Sequence, residues 1–276
     1  MNKTLRTFLR RPAGIVGLTL LGLVCLVAVL APLLYPASPW DIAGMPFARP
    51  GEDGMVFGSD TLGRDIAAGV VHGARVSLII GVTSTIAALA IGVTLGAVAG
   101  FAGGMTDRVI VRITEIFQTI PNFVLAILLV AILTPTLSTI IFSIGLVSWP
   151  PLARLTRSQV QSVAQREFVQ AARCQGQSAA SVLVRHVLPN AISPIIVTGS
   201  LTVAAAILIE AALSFMGLGD PNHMSWGYMI GAGRTVIRQA WWMSVFPGLA
   251  ILLTVVAINL VGEALNDALN PRISRS

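Results

Sequence analysis

Apolar residues in this sequence come in long unbroken runs, and the polar residues gather between them. The runs fall at about 13–34, 76–102, 110–133, 137–153, 191–217 and 243–262. Most approach the roughly 20 residues that an α-helix needs to cross the ~30 Å hydrocarbon core of a bilayer. They do not alternate in the ten-residue segments of a membrane β-barrel, so helices are expected. The fourth run is short and ends at Pro150-Pro151. The pattern reads as an all-α membrane protein with six transmembrane helices. It divides into an N-terminal segment (1–12), a first span (13–35), an external loop (36–75), a five-span core (76–266) and a tail (267–276).

Composition sharpens this picture. Of 276 residues, 55% are hydrophobic and 11% charged, against roughly 25% charged in soluble domains. Such a chain cannot hide its apolar surface inside one water-soluble fold. The net charge of +6 would point to nucleic acid in a soluble protein. Here the basic residues sit where cytoplasmic loops belong, and no nucleic-acid partner is expected. Lys3, Arg6, Arg10 and Arg11 share one side with Arg108 and Arg112, with Arg154, Arg157, Arg166, Arg173 and Arg185, and with Arg272 and Arg275. Arg49, Arg64, Arg234 and Arg238 remain opposite, and Arg75 lies at a boundary. The excess of positive charge on cytoplasmic segments then puts both termini in the cytoplasm. The first apolar run follows a basic start, as in a signal peptide, but it is longer than the usual signal core. No small-x-small cleavage site follows it, so an uncleaved anchor is expected. Cys25 and Cys174 fall in different compartments, and no disulfide is implied.

Residues 154–189 form a polar, basic island in this apolar chain. The pattern predicts two short helices meeting at Gly176, where a positive φ can end the first. Ser178 is placed to cap the second, and Pro189 is expected to stop it. Ala171, Ala172 and Gly176 carry almost no side chain, so another surface can approach the backbone there. A bare-tipped helical elbow of this kind is a docking element. Within the spans, Ala88, Gly92, Gly96 and Gly100 recur every four residues, which permits close helix packing in lipid. Pro121, Pro135, Pro194 and Pro247 fall in or near spans, where bends are tolerated.

The external segment holds Phe57-Gly58-Ser59-Asp60-Thr61-Leu62-Gly63-Arg64-Asp65, with the residues of a turn that caps a helix. Two readings stay open: an ordered loop held by its own side-chain bonds, or a lip where an external partner meets Asp60, Gly63, Arg64 and Asp65. Glu210 lies inside the fifth span, where an ionisable group is costly and points to a translocation path; the alternative is a buried structural hydrogen bond. Glu115 is expected to pair locally with the arginines before it.

Catalytic patterns are missing from the sequence. It has no His-Glu-x-x-His, Cys-x-x-Cys or Gly-x-Ser-x-Gly, and His72, His186 and His223 fall in different loops. Gly217-Leu218-Gly219-Asp220 matches the Gly-x-Gly-Asp of intramembrane aspartyl proteases, but no second mid-span aspartate accompanies it. A phosphate-binding Gly-x4-Gly-Lys-Ser/Thr loop is absent too. The chain is expected to be non-catalytic, with no cofactor or metal of its own, and to draw any driving energy from a partner or an ion gradient.

The island resembles the cytoplasmic "EAA" loop of ATP-binding-cassette (ABC) importer permeases, roughly E-A-A-x3-G-x9-I-x-L-P. Gln170-Ala171-Ala172, Gly176 and Leu188-Pro189 fit the spacing, with Gln170 in place of the acid and His186 in place of the isoleucine. Glu167, one turn earlier, is the nearest replacement charge. The Phe57–Asp65 run with Gly73-Ala74-Arg75-Val76-Ser77-Leu78 is similar to the dipeptide/oligopeptide/nickel permease family. So is Glu210-Ala211-Ala212-Leu213-Ser214-Phe215-Met216-Gly217-Leu218-Gly219 with Ser225-Trp226-Gly227. The tail, through Trp241-Trp242, Phe246-Pro247-Gly248, Asn259-Leu260 and Asp267-Ala268-Leu269-Asn270-Pro271-Arg272, resembles the second ("C") permease subunit.

This resemblance implies a type I ABC-importer permease fold in a bacterial cytoplasmic (inner) membrane. It implies a homologous second permease, two ABC ATPase subunits that bind ATP and Mg, and an external solute-binding protein. The island would be the coupling helix, with Glu167, Gln170, Ala171, Ala172, Gly176, Leu188 and Pro189 seated against an ATPase. Di- or oligopeptides are the expected cargo, with nickel or a metal chelate as the alternative within the family. An ion-driven secondary transporter is the rival from another class. Glu210 favours it, and the lack of an inverted repeat opposes it.

Overall fold

A computed structural model of the chain describes Phe8, residues 11–52 and residues 54–269. Lys3, Arg6, Arg10, Arg272 and Arg275, which carry part of the orientation argument, lie outside the described residues, as do Asp53 and Asn270-Pro271. The helices are α1 (Pro12–Leu34), α2 (Ile66–Ala102), α3 (Gly104–Thr119), α4 (Asn122–Leu133), α5 (Leu137–Ala164), α6 (Glu167–Cys174), α7 (Ala179–Val182), α8 (Leu188–Phe215), α9 (Trp226–Gly233) and α10 (Trp242–Leu269). A single π-helical turn, Leu183–Val187, joins α7 to α8. Extended structure among the described residues is limited to two isolated bridges, Ile42 with Arg64 and Ser59 with Asp65.

The centre of the bundle is the contact between α2 and α5, and the small-residue stripe explains it. A side chain at Gly92 would lie 2.8 Å from Trp149 O, at Gly96 2.4 Å from Ala153 O, and at Gly100 2.6 Å from Arg157 O. Backbones can come this close only where no Cβ intervenes, and in lipid close van der Waals packing is the main force between helices. The same packing carries α5 through Pro150 and Pro151, where the apolar run ends. A proline inside a helix costs about 3 kcal/mol, but Trp149, Leu152 and Ala153 around the pair are buried with Ala88 in one cluster. The expected fourth span, 137–153, is therefore the first part of a 28-residue helix.

Two further boundaries differ from the apolar pattern. Helix α2 starts ten residues before the run at 76, because Asp65 accepts a hydrogen bond from Ala67 N (2.8 Å) and caps it. Its first turns, with Ile66, Ala67, Ala68 and Gly69, are buried. The third run is not one straight helix: α3 and α4 meet at Ile120-Pro121 with an 81° bend. Five helices are long and apolar enough to cross a membrane alone, and the bent pair, taken as one span, makes six. Helix α1 lies on α10, where Gly17 approaches Ala257 O and Arg11 pairs with Asp267 at 3.2 Å.

Candidate functional site

At one end of the bundle α5 leaves the packed core and leads into the elbow. Helix α6 closes at Gln175, and Gly176 takes φ +76°. Gly176 N donates to Arg173 O (3.0 Å) and Gln177 N to Ala172 O (3.3 Å), the paired bonds of a Schellman helix end. Ser178 then starts α7, its hydroxyl accepting from Ser181 N (3.4 Å). His186 and Gln177 share a hydrogen bond (2.9 Å) across the two limbs. Inside the elbow, Val169, Ala172, Val182 and Val187 are buried together with Ala97, Val160, Val163 and Ala191. The elbow is thus a small hydrophobic unit built onto the ends of α2, α5 and α8.

The expectation that Pro189 stops the second limb is corrected. The chain passes through Pro189 into the 28 residues of α8. Proline has no N–H to give the preceding turn. The chain here widens to the π register, in which Leu188 N donates back to Leu183 O, and α8 restarts with Pro189 in its first turn, where a missing N–H costs nothing.

Glu167, Gln170, Ala171, Gly176 and Pro189 are exposed, Leu188 is half-buried, and Ala172 is buried. The small side chain of Ala172 serves the elbow's own packing; Ala171 and Gly176 supply the bare outer surface. A side chain at Gly176 would meet no atom within 4 Å. Of the island's arginines, Arg157 holds Asp107 of α3 through two bonds (2.5 and 2.6 Å) and Arg154 donates to Gln118. Arg173 lies over the Phe101 ring at 4.9 Å. Arg166 and Arg185 are exposed, so the surface around the tip is basic. Gln177, which closes the elbow twice, was not among the expected site residues. Its position directly after the glycine is the signal that marks it.

At the opposite end, Asp60, Gly63 and Arg64 are buried and Asp65 is half-buried, each engaged in the bonds of an ordered loop. Asp60 pairs with Arg64 Nε (2.6 Å) and also accepts from Leu62 N (2.8 Å) and Arg64 N (2.9 Å). Gly63 has φ +82°, and a Cβ there would lie 2.2 Å from Gly44 O. Asp65 is the cap of α2. The loop is fastened to α10 by Trp242 Nε1 donating to Ser59 O (2.9 Å) and by Phe57 stacked on Phe246 at 4.1 Å.

Glu210 sits in a buried hydrogen-bond set, the second of its two readings. It is 2% exposed, and its Oε1 accepts from Ser214 (2.8 Å) and Ser225 (2.6 Å). Ser225 caps α9, and the next residue, Trp226, donates from N to Ser77 Oγ (3.1 Å) and from Nε1 to Val70 O (2.8 Å). Glu210 therefore ties α8 to the start of α9, and Trp226 ties α9 to α2. Asp220 makes a second tie: it accepts from Leu137 N (2.7 Å), Asn222 N (2.8 Å) and His223 Nδ1 (2.9 Å). Burial raises its carboxyl, and the hydrogen bonds from Asn222, His223 and Leu137 outweigh this, leaving it below the ordinary value. Glu115 pairs with Arg112 at 3.3 Å on the exposed face of α3, as its spacing predicts.

The model of the family described as "Binding-protein-dependent transport system inner membrane component" matches residues 92–275. That of the "N-terminal TM domain of oligopeptide transport permease C" matches residues 1–50. The chain belongs to the family of binding-protein-dependent transport inner membrane components, the permease subunits of ABC importers. It is 37% identical to the di/tripeptide transport system permease protein DppC of Pseudomonas aeruginosa, over 98% of this chain and 92% of that protein. It is 40% identical to the dipeptide transport system permease protein DppC of Alkalihalophilus pseudofirmus, over 94% of this chain and 86% of that protein. A chain of the methionine ABC transporter MetNI, in an inward-facing conformation, superposes with a TM-score of 0.61 at 18% identity, over 73% of this chain and 96% of that one. The fold is that of a type I ABC-importer permease, and the protein is a multi-pass component of the inner membrane.

Proposed function

We propose that this permease carries di- and oligopeptides across the cytoplasmic membrane, driven by ABC ATPase subunits that receive its elbow. The peptide cargo rests on the two DppC relatives, which match along nearly the whole chain. The coupling role rests on the elbow: a closed, internally packed unit whose tip leaves Ala171 and Gly176 bare among exposed arginines. In this reading both termini and the elbow lie in the cytoplasm, and a homologous permease completes the membrane path. Two ATPases bind ATP and Mg, and a solute-binding protein delivers cargo to the opposite face. Glu167, Gln170, Ala171, Gly176, Leu188 and Pro189 form the docking surface, with Ala172 supporting it from within. The chain itself performs no catalysis.

Ala171→Trp is the variant that tests this, because Ala171 is helical and exposed and its replacement adds bulk without backbone strain. Gly176→Trp would be less clean, since a bulky residue is strained at positive φ. In proteoliposomes holding the whole transporter, Ala171→Trp should cut ATP-driven dipeptide uptake at least tenfold with membrane insertion and thermal stability unchanged. Wild-type uptake by the inserted variant would remove the coupling role. Dipeptide uptake that nickel chelates abolish and tripeptides do not affect would replace the cargo.

A further inference from the structure

Two cavities outside the elbow and the ties lie along the seam between α1 and α2. One, of about 340 Å³, is lined by Cys25, Ala28, Leu78 and neighbours with Arg75 at its rim. The other, of about 250 Å³, continues past Cys25 and Leu78 to Val82 and Ile258. They share Cys25 and Leu78, and their linings together follow α2 from Arg75 to Val82, about 10 Å at the helical rise per residue. Ser200 on the second cavity's wall already donates to Val197 O (2.7 Å), and no carboxylate lines either cavity.

The depth of Arg75 follows from a neighbouring bond. His72 Nε2 meets Tyr35 O (2.9 Å), so the end of α1 and this turn of α2 are level. Arg75 lies one turn further in, about 4.5 Å below them. Arg75 is exposed, and no carboxylate pairs with it among the described residues. An arginine at this depth reaches the layer of lipid phosphates, and its planar fork matches a phosphate's oxygens.

We propose that this seam is a binding site for an anionic glycerophospholipid in the leaflet opposite the elbow. One acyl chain lies between α1 and α2 against Cys25 and Leu78, and the phosphate is held by Arg75. A zwitterionic lipid would bring an ammonium to a rim that offers it no carboxylate, which is why the anionic class fits. The bound lipid fills the seam between α1 and α2.

The test uses the assembled transporter in vesicles containing phosphatidylglycerol or phosphatidylcholine with a photoactivatable diazirine in one acyl chain. Illumination should label the peptides around Cys25 and Leu78 several-fold more with phosphatidylglycerol. Arg75→Gln should bring the two yields together, and Arg75→Lys should keep most of the preference. Equal labelling by both lipids in the wild type, labelling confined to other segments, or a preference that survives Arg75→Gln overturns the proposal. Should Arg75→Gln fail to assemble, unlabelled lipid competing against the wild-type label decides the matter. Competition by phosphatidylglycerol alone supports the site, and equal competition by phosphatidylcholine refutes it.

Discussion

The two ends of this permease treat their polar residues in opposite ways. At the loop end, Asp60, Arg64, Glu210, Ser225 and Asp220 are turned inwards and bonded to one another or to backbone. At the elbow, the buried set is aliphatic, and Glu167, Gln170, Arg166 and Arg185 stand in the open. One end adds buried polar bonds to its apolar packing. The other holds itself together by hydrocarbon and leaves its polar surface and bare backbone for something else. Damage at the loop end should therefore register first as lost stability, and damage on the elbow's outside as lost coupling.

The sharpest way to break this contrast is Asp60→Ala. It leaves Arg64 charged and unpaired in a nearly closed site, a change that costs about 3–5 kcal/mol. The purified transporter should unfold at a clearly lower temperature, and an unchanged midpoint would show that the loop does not depend on the pair. Next comes the elbow's inside against its outside. Ala172→Leu overfills the cluster with Val169 and Val182 and should cost about 1–3 kcal/mol. Ala171→Leu should stay within about 0.5 kcal/mol while uptake falls, and equal destabilisation by both would erase the distinction. Ser225→Ala removes the cap of α9 and one bond to Glu210, and should cost about 1 kcal/mol, read as faster hydrogen exchange in the first turn of α9.

The smallest expected effect is on the pH axis. The Asp220 carboxyl titrates below its ordinary value. Its contribution is therefore complete above the unfolded value of about 3.9 and is lost as pH falls through the lower folded value. Exchange of the Leu137 amide should accelerate in that acid window in the wild type. Asp220→Asn should lose that pH dependence.

Features that depend on a few neighbouring residues were readable in the sequence. The apolar runs announce the spans, Gly176 with Ser178 announces the elbow, and Arg112 with Glu115 announces a pair on one helix face. What escaped depends on partners distant in the chain. Pro150-Pro151 reads as a stop, yet α2 packs against the same turns and carries the helix onward. Ile66–Arg75 does not read as part of a span because its burial comes from Met224, Met229 and Trp226, about 150 positions away. Ala171 and Ala172 are identical as letters, and only the packing of α6 into the cluster with Val182 and Val187 sends one outwards and the other in. The inward set of Asp60 and Arg64 was one of two open readings of a turn, and the fold selects it by laying that turn on α10.

The π-turn at Leu183–Val187 has a mechanical consequence. Because Pro189 is absorbed rather than obeyed, helical structure runs from Ala179 to Phe215, a strut of about 55 Å at the helical rise per residue. One end of this strut is the elbow, and near the other Glu210 grips the cap of α9. If it pivots as one body, a tilt of about 5° shifts the far end by roughly 5 Å over that length, well beyond the reach of the 2.6 Å bond between Glu210 and Ser225. A push received at the elbow would then be felt as a pull on the first turn of α9.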